Sequence, residues 1–345
     1  MHRLLRVAAT LLGTLSLVAC QQGSVVVQES FVFGTRVEVT VAGLPEGEAR
    51  AGAALVLAEF DRLHRMLHAW QPSEVTALNE AIAAGRARPV SPELGAILRD
   101  AQALTLAGER LFDPGIGRLV ALWGFHGDEF RPALPEPTAL AAWRAARPSL
   151  ADLRFDGDIV RSVNPQVAVD LGGYAKGYAL DRAAAILRHA GIANALVNIG
   201  GNVMALGDKN GKPWRVGIRD PRGTGFIAAL DLADGEAIGT SGDYQRFFEV
   251  DGQRYAHLLD PRSGTPAAGT RALTVLVGSG PQAGTRSDVW SKPLFVADEA
   301  EFRNLADRLG AAQVLRVDAD GRIQVASALA KRLRWSDPPP PFAVY

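Results

Sequence analysis

The 345-residue chain contains a single cysteine, Cys20. One cysteine excludes an internal disulfide and any zinc or iron–sulfur site built on thiolates. Neither charge is in excess: Lys+Arg and Asp+Glu are both 37, so the formal net charge is zero. Without a basic surplus, nucleic-acid binding has no electrostatic footing. The apolar stretch Leu11 to Val18 is too short to cross a bilayer. No segment repeats, no HExxH metal motif occurs, and no low-complexity linker divides the chain. What is present is an ordinary globular composition, 48% hydrophobic and 21% charged, with ample apolar material for a core. The length accommodates about two domains of roughly 150 residues or one larger unit. The missing linker favours one continuous α+β domain over residues 31–330.

Arg3 and Arg6 precede the apolar stretch, and no acidic residue occurs before Glu29. This pattern predicts a secretory signal over residues 1–19. It ends Leu17-Val18-Ala19-Cys20, which resembles the bacterial lipobox, whose cysteine is lipidated and becomes the new N-terminus. The expectation is a lipoprotein anchored through Cys20 and tethered by residues 20–30. It would sit on the extracytoplasmic (periplasmic) side of a bacterial cell membrane, held by acyl chains with no spanning helix. Loss of Arg3 and Arg6 leaves 35 basic residues against 37 acidic ones, a net charge of −2.

Residues Val25 to Val41 contain two strand-like runs. Ala53, Val56, Phe60, Leu63 and Leu67 fall at helical spacing and predict an amphipathic helix over about Glu48 to His68. Ser91-Pro92 marks the start of a second helix with its apolar face on Leu94, Ile97, Leu98, Ala101 and Leu104. Pro132 to Pro148 reads as a surface excursion around a short Ala-rich helix. Val167 to Leu171 then reads as a strand, Ala179 to Ala190 as a helix closed by Gly191, and Ala195 to Ile199 as the next strand. Mostly strands follow, including a hairpin turning at Asp251-Gly252. A helix is expected over 299–309 and a final hairpin around Asp320-Gly321. The Pro-rich tail, 331–345, is expected to be peripheral.

Candidate chemistry gathers in a few segments. In Asp170-Leu171-Gly172-Gly173-Tyr174-Ala175-Lys176-Gly177 a strand meets a Gly-Gly turn and a helix start. Free N–H groups and the helix dipole make such a turn an anion site. It is neither a Walker loop nor the GxGxxG fingerprint, and a tight turn that needs Gly for backbone reasons is the alternative. The hairpin ends bring Thr240 to Tyr244 near His257 to Gly264. There His257 and Asp260 are candidates for proton transfer, against an Asp-Pro turn with a surface His. Asp288 and a nearby hydroxyl form a hard-cation signal. His64 and His68, one turn apart with no third ligand, are expected on a solvated helix face.

With Phe33-Gly34-Thr35, Ala69 to Asn79, Leu111 to Phe125, Asp170 to Asp181, Leu196 to Gly207, Trp214 to Pro221, Thr240 to Pro266 and Ser287 to Val296 in order, the sequence resembles the FAD:protein FMN transferases, the ApbE-type flavin-transferring lipoproteins. The resemblance implies an ApbE-like (T-fold-like) domain of mixed and antiparallel sheets packed with helices. It implies transfer of the FMN half of FAD to a Thr, sometimes Ser, hydroxyl of a target flavoprotein, with release of AMP. Such acceptors are typically subunits of membrane redox complexes. It places Phe33, Trp70, Leu111, Phe112, Asp113, Asp170, Lys176 and Leu259 against FAD, and gives His257 a catalytic role. It assigns Mg²⁺ to Asp288, Ser291, position 292 and a carbonyl in the Gly173 turn.

Two departures from the family pattern stand out. Lys292 replaces the usual Thr of the metal block and is followed by Pro293, and Pro114-Gly115 follows Phe112-Asp113. A charged Lys cannot coordinate Mg²⁺, but it can act as a point charge against phosphate. The same motifs admit a flavin-binding lipoprotein that stores or delivers FAD, and an FAD pyrophosphatase releasing FMN and AMP. A nicotinamide-dependent oxidoreductase rests only on the strand–Gly-Gly–helix turn.

Overall fold

The computed structural model describes residues 24–127 and 132–345. The expected signal segment and Cys20 lie outside the described residues. The frame is a nine-stranded sheet ordered Ser24–Val32, Thr35–Leu44, Ala195–Ile199, Asn202–Leu206, Ala237–Gly242, Thr270–Val277, Val314–Asp318, Ile323–Val325 and Phe342–Val344. All neighbours are antiparallel except the last pair.

Strand alternation assigns the two faces. Val37, Val39, Val41, Val197 and Ile199 meet the helices Glu46–Leu67 and Ala175–His189. Further along the same face, Leu273, Val275 and Val314 meet Pro92–Ala107, Ala283–Val296 and Glu299–Leu309. Ala42, Val203, Ile238, Leu276 and Leu315 point the other way, against Trp214, Val216, Ile218 and Leu230. These belong to a three-stranded sheet of Trp214–Arg219, Phe226–Leu232 and Arg334–Trp335. The predicted apolar stripes of the Glu46–Leu67 and Pro92–Ala107 helices are buried. Ser91 caps the latter by accepting from Leu94 N at 3.2 Å.

Two hairpin tips lie side by side at one end of the main sheet. Phe33 and Gly34 have φ of 55° and 67°, and Gly200 and Gly201 have φ of 59° and 95°. Both are two-residue turns, and positive φ at both positions is the type I′ geometry that matches strand twist. Gly200 N donates to Arg36 O at 3.1 Å and ties the tips together. A phenylalanine at positive φ is strained, so Phe33 is held there by its surroundings.

The structure departs from the sequence reading in several places. Val167 to Leu171 is no regular strand: it makes one parallel bridge, Ala168 with Ile116, with Gly117 N donating to Ala168 O, Ala168 N to Gly115 O and Asp170 N to Pro114 O, and Asn79 holds its other side. That amide accepts from Val169 N at 2.6 Å and donates to Val169 O at 2.9 Å, doing the work of a neighbouring strand. Residues 24–30, expected as tether, form most of the edge strand Ser24–Val32. The tail is not apart from the domain, because Arg334–Trp335 and Phe342–Val344 join two different sheets. The excursion after Pro132 folds back: its helix Pro137–Ala146 seats Trp143 against Gly264 in a small core with Trp123 and Leu259.

Candidate functional site

The site begins where two helices cross. A Cβ on Gly177 would stand 2.5 Å from Gly284 O and 2.7 Å from Asp288 Cβ, and one on Gly284 would stand 2.6 Å from Gly177 O. Only glycine permits this approach. It brings the start of the Ala175–His189 helix against the flank of Ala283–Val296, with Ala175 N donating to Leu171 O and Gly177 N to Asp288 Oδ2. Asp181 fixes the second helix from outside. It accepts from Gly284 N and Thr285 N at 2.8 Å each and from Thr285 Oγ1 at 2.6 Å, which makes it the cap that Gln282 does not supply.

At this crossing Asp288 is fully buried. Its Oδ2 accepts from Gly177 N at 2.9 Å, and its Oδ1 pairs with the Lys292 ammonium. Lys292 Nζ also donates to Asp288 O at 2.7 Å. Ser291 Oγ donates to that same carbonyl at 2.6 Å and lies 2.7 Å from Ser241 Oγ. Burial pushes the Asp288 carboxyl up, but Lys176, Lys292 and the Gly177 N–H outweigh it and hold it below the usual range. Burial, opposed by Asp288, lowers the Lys292 ammonium to about 8. Gly173 lies beside the pair, its Cβ position 3.3 Å from the Phe112 ring and 3.6 Å from Lys292 Cε.

The expected residues of the Mg²⁺ cage therefore come together, yet they do not fit the ion. Mg²⁺ demands a near-octahedral shell of oxygens. Here the one carboxylate is already taken by an ammonium and an N–H. Among the described residues no group of three His, Cys, Asp or Glu side chains is placed to hold a metal.

His257 lies beyond the hairpin Phe247–Val250 and Gln253–Ala256, which turns at Asp251-Gly252 as expected. Its Nδ1 is 3.1 Å from Arg246 O, and its N donates to the same carbonyl at 3.0 Å. A carbonyl only accepts, so Nδ1 carries the hydrogen and Nε2 keeps its lone pair. Burial, then Arg246, Lys176 and Lys292, lower the imidazole to about 3. Asp260 faces another task. It accepts from Arg262 N at 2.8 Å, pairs with the Arg262 guanidinium at 3.0 Å and closes the turn to Gly264. The proton-transfer role considered for Asp260 has no geometric support, since its carboxylate holds its own loop.

The wall of the site is aromatic. Phe33 meets His64 edge-on at 5.6 Å, His64 meets His68 at 4.9 Å, and His68 meets Trp70 at 4.6 Å. Trp70 stacks on His126 at 5.1 Å, and His126 Nε2 reaches Asp170 Oδ2 at 2.9 Å. His64 and His68 are thus not on a solvated face; they join Phe33 to Trp70, which remains 37% exposed. Burial pushes Asp170 up, but His126, the Gly172 N–H and Arg246 hold it below the usual range. Lys176 Nζ reaches Gly172 O at 3.2 Å across the same turn.

The strip Leu111, Phe112 and Asp113 is buried. Asp113 Oδ1 accepts from Gly115 N at 2.8 Å and Leu150 N at 2.7 Å, so its side chain braces the Pro114-Gly115 turn. Leu259 packs its side chain into the core with Trp123 and pairs with Pro266, leaving only its main chain to meet a ligand. Sequence reasoning gave no role to His126, Arg246, Asp181 or Ser241. Asp181, Arg246 and Ser241 carried a signal as members of the quoted blocks, and His126 carried none.

A glycine crossing, a helix N-terminus, Lys176, Lys292 and an aromatic wall belong to one α+β domain, an arrangement whose chemistry suits a flat-ringed ligand bearing phosphate. Residues 33–315 match the model of the ApbE family, and the chain belongs to that family. It is 42% identical over 308 residues to an FAD:protein FMN transferase of Rhodobacter capsulatus, covering 89% of this chain and 58% of that relative. It is 32% identical to one from Klebsiella pneumoniae, covering 81% of this chain and 80% of the relative. The crystal structure of the ApbE protein from Thermotoga maritima superposes with a TM-score of 0.82 at 32% identity, covering 90% of this chain and 100% of that one.

Proposed function

We infer that this chain transfers the FMN half of FAD to a Thr or Ser hydroxyl of a target flavoprotein and releases AMP. The observation that carries the reading is a histidine held through Nδ1 on Arg246 O, with Nε2 left to accept a proton. The pyrophosphate lies at the N-terminus of the Ala175–His189 helix, where the helix dipole and the Lys176 and Lys292 ammoniums neutralise its charge. The acceptor oxygen attacks the FMN-side phosphorus. A new P–O bond forms, the bond to the bridging oxygen breaks, and AMP leaves with that oxygen. The hydroxyl proton passes to His257 Nε2. Phe33 and Trp70 offer faces and edges to the ring systems.

Cys20 carries the lipid in this reading, and the domain works at the extracytoplasmic face of a bacterial membrane on a membrane redox-complex subunit. From Cys20 to the paired Ser24 the chain reaches about 14 Å at most, so the domain rests close to the lipid. Val25, Val27 and Phe31 are exposed on the adjoining edge strand. Among the described residues no helix is long and apolar enough to cross a membrane.

The test incubates the full chain in detergent with FAD and a Thr-bearing redox subunit, reading the subunit's intact mass and free AMP. An FMN-sized gain matched by AMP supports transfer. AMP with free FMN makes the protein a pyrophosphatase, and bound FAD without AMP makes it a flavin carrier.

A further inference from the structure

The geometry points to Lys292 as a built-in cation: held on buried Asp288, its ammonium takes the place of a divalent ion against the FAD pyrophosphate, and the reaction needs no metal. This rests on the proposed transfer from FAD. Both Asp288 oxygens are committed, one to Gly177 N and one to Lys292. The neighbouring hydroxyl, Ser291, is committed to Asp288 O and Ser241. A divalent ion entering here would have to displace a tethered ammonium from a buried partner.

The ammonium is placed to do the ion's work. An ammonium has three donors. Two go to Asp288 O and Oδ1, which leaves one for a ligand. The Lys292 side chain keeps 13% exposure while that of Asp288 keeps none, so the charge stands on the open side of the pair. It lies beside the Gly173 turn, at the helix N-terminus where the phosphates belong. Lys176 stands on the first turn of that helix, so two ammoniums meet two phosphate charges.

The experiment uses the full chain in detergent and two readouts, FAD affinity by flavin fluorescence and binding of Mn²⁺ by its spin-resonance signal. Wild type is expected to bind FAD equally in EDTA and in Mg²⁺, and to show no saturable Mn²⁺ site. Lys292→Met is expected to lose about tenfold or more in FAD affinity, the worth of a charged hydrogen bond, and Lys292→Arg to keep most of it. Lys292→Thr is expected to regain the affinity only with Mg²⁺. If EDTA lowers the FAD affinity of wild type tenfold and Mg²⁺ restores it, or if Mn²⁺ saturates one site, the inference is overturned. If Lys292→Met binds FAD like wild type, it is overturned as well. Because binding is read, absence of AMP in every arm counts against the transferase reading alone.

Discussion

His257 is expected to change its proton affinity when phosphate arrives. In the free protein, burial and the charges of Arg246, Lys176 and Lys292 hold the imidazole at about 3, too low for a proton acceptor near neutral pH. A unit charge about 6 Å away at an effective dielectric of about 20 is worth roughly 2.8 kcal/mol, or about two pH units. The two charges of a pyrophosphate, set against the lysines, are therefore expected to bring His257 above about 5. The base is armed by the substrate it serves. Nitrogen-15 NMR of the imidazoles, with and without inorganic pyrophosphate, reads this directly. The chain has six histidines, and the signal missing in His257→Gln assigns the one of interest. If His257 titrates at an ordinary 6.5 in the free protein, or if pyrophosphate leaves it unmoved, the convergence of charges on it is refuted. Stability carries the same sign. Between about 6.5 and about 3 the unfolded chain binds a proton that native His257 refuses. Native stability is therefore full above 6.5 and falls as the pH drops toward 3, by up to a few kcal/mol, and His257→Gln removes that part of the fall.

Gly177→Ala forces a methyl to within 2.5 Å of Gly284 O; overpacking of this kind costs about 1–3 kcal/mol, and denaturant unfolding is expected to show that loss together with weakened FAD binding. An unfolding midpoint equal to wild type would mean the helices do not touch there. Trp70→Ala removes an exposed ring stacked on His126. FAD affinity is expected to fall by about 0.5–1.5 kcal/mol with the unfolding midpoint nearly unchanged; unchanged affinity would take Trp70 out of the binding wall.

Much of the fold was legible because its signals are local. The stripes on Glu46–Leu67 and Pro92–Ala107 show at period 3.6 because one face of each helix is buried and the other wet. The Asp251-Gly252 turn shows because both positions need positive φ, 50° and 77°. The Ala283–Val296 helix was not legible. It is buried on nearly every side, so no polar stripe marks it, and Pro293 sits in its interior. Val167 to Leu171 misled for the opposite reason. It is apolar and extended like a strand, but its partners are the irregular turn at residues 114–117 and the Asn79 side chain, which no pattern of neighbouring residues reveals.

The site was legible as a set of blocks and illegible as a set of contacts. Asp170 and His126 are 44 residues apart, and Phe33, His64, His68 and Trp70 become one wall only because a strained hairpin tip leans on a helix. Lys292 is the instructive case. Asp288 and Lys292 are four residues apart, the spacing at which side chains meet on a helix. Had the helix been legible, the ion pair would have been too. That spacing also explains how a lysine can be accommodated at such a position. The new charge falls on a buried carboxylate of its own helix, one turn away, beside the crossing at Gly177 and Gly284. A single substitution can therefore exchange a borrowed cation for a covalent one while the helix N-terminus, the histidine and the aromatic wall stay where they are.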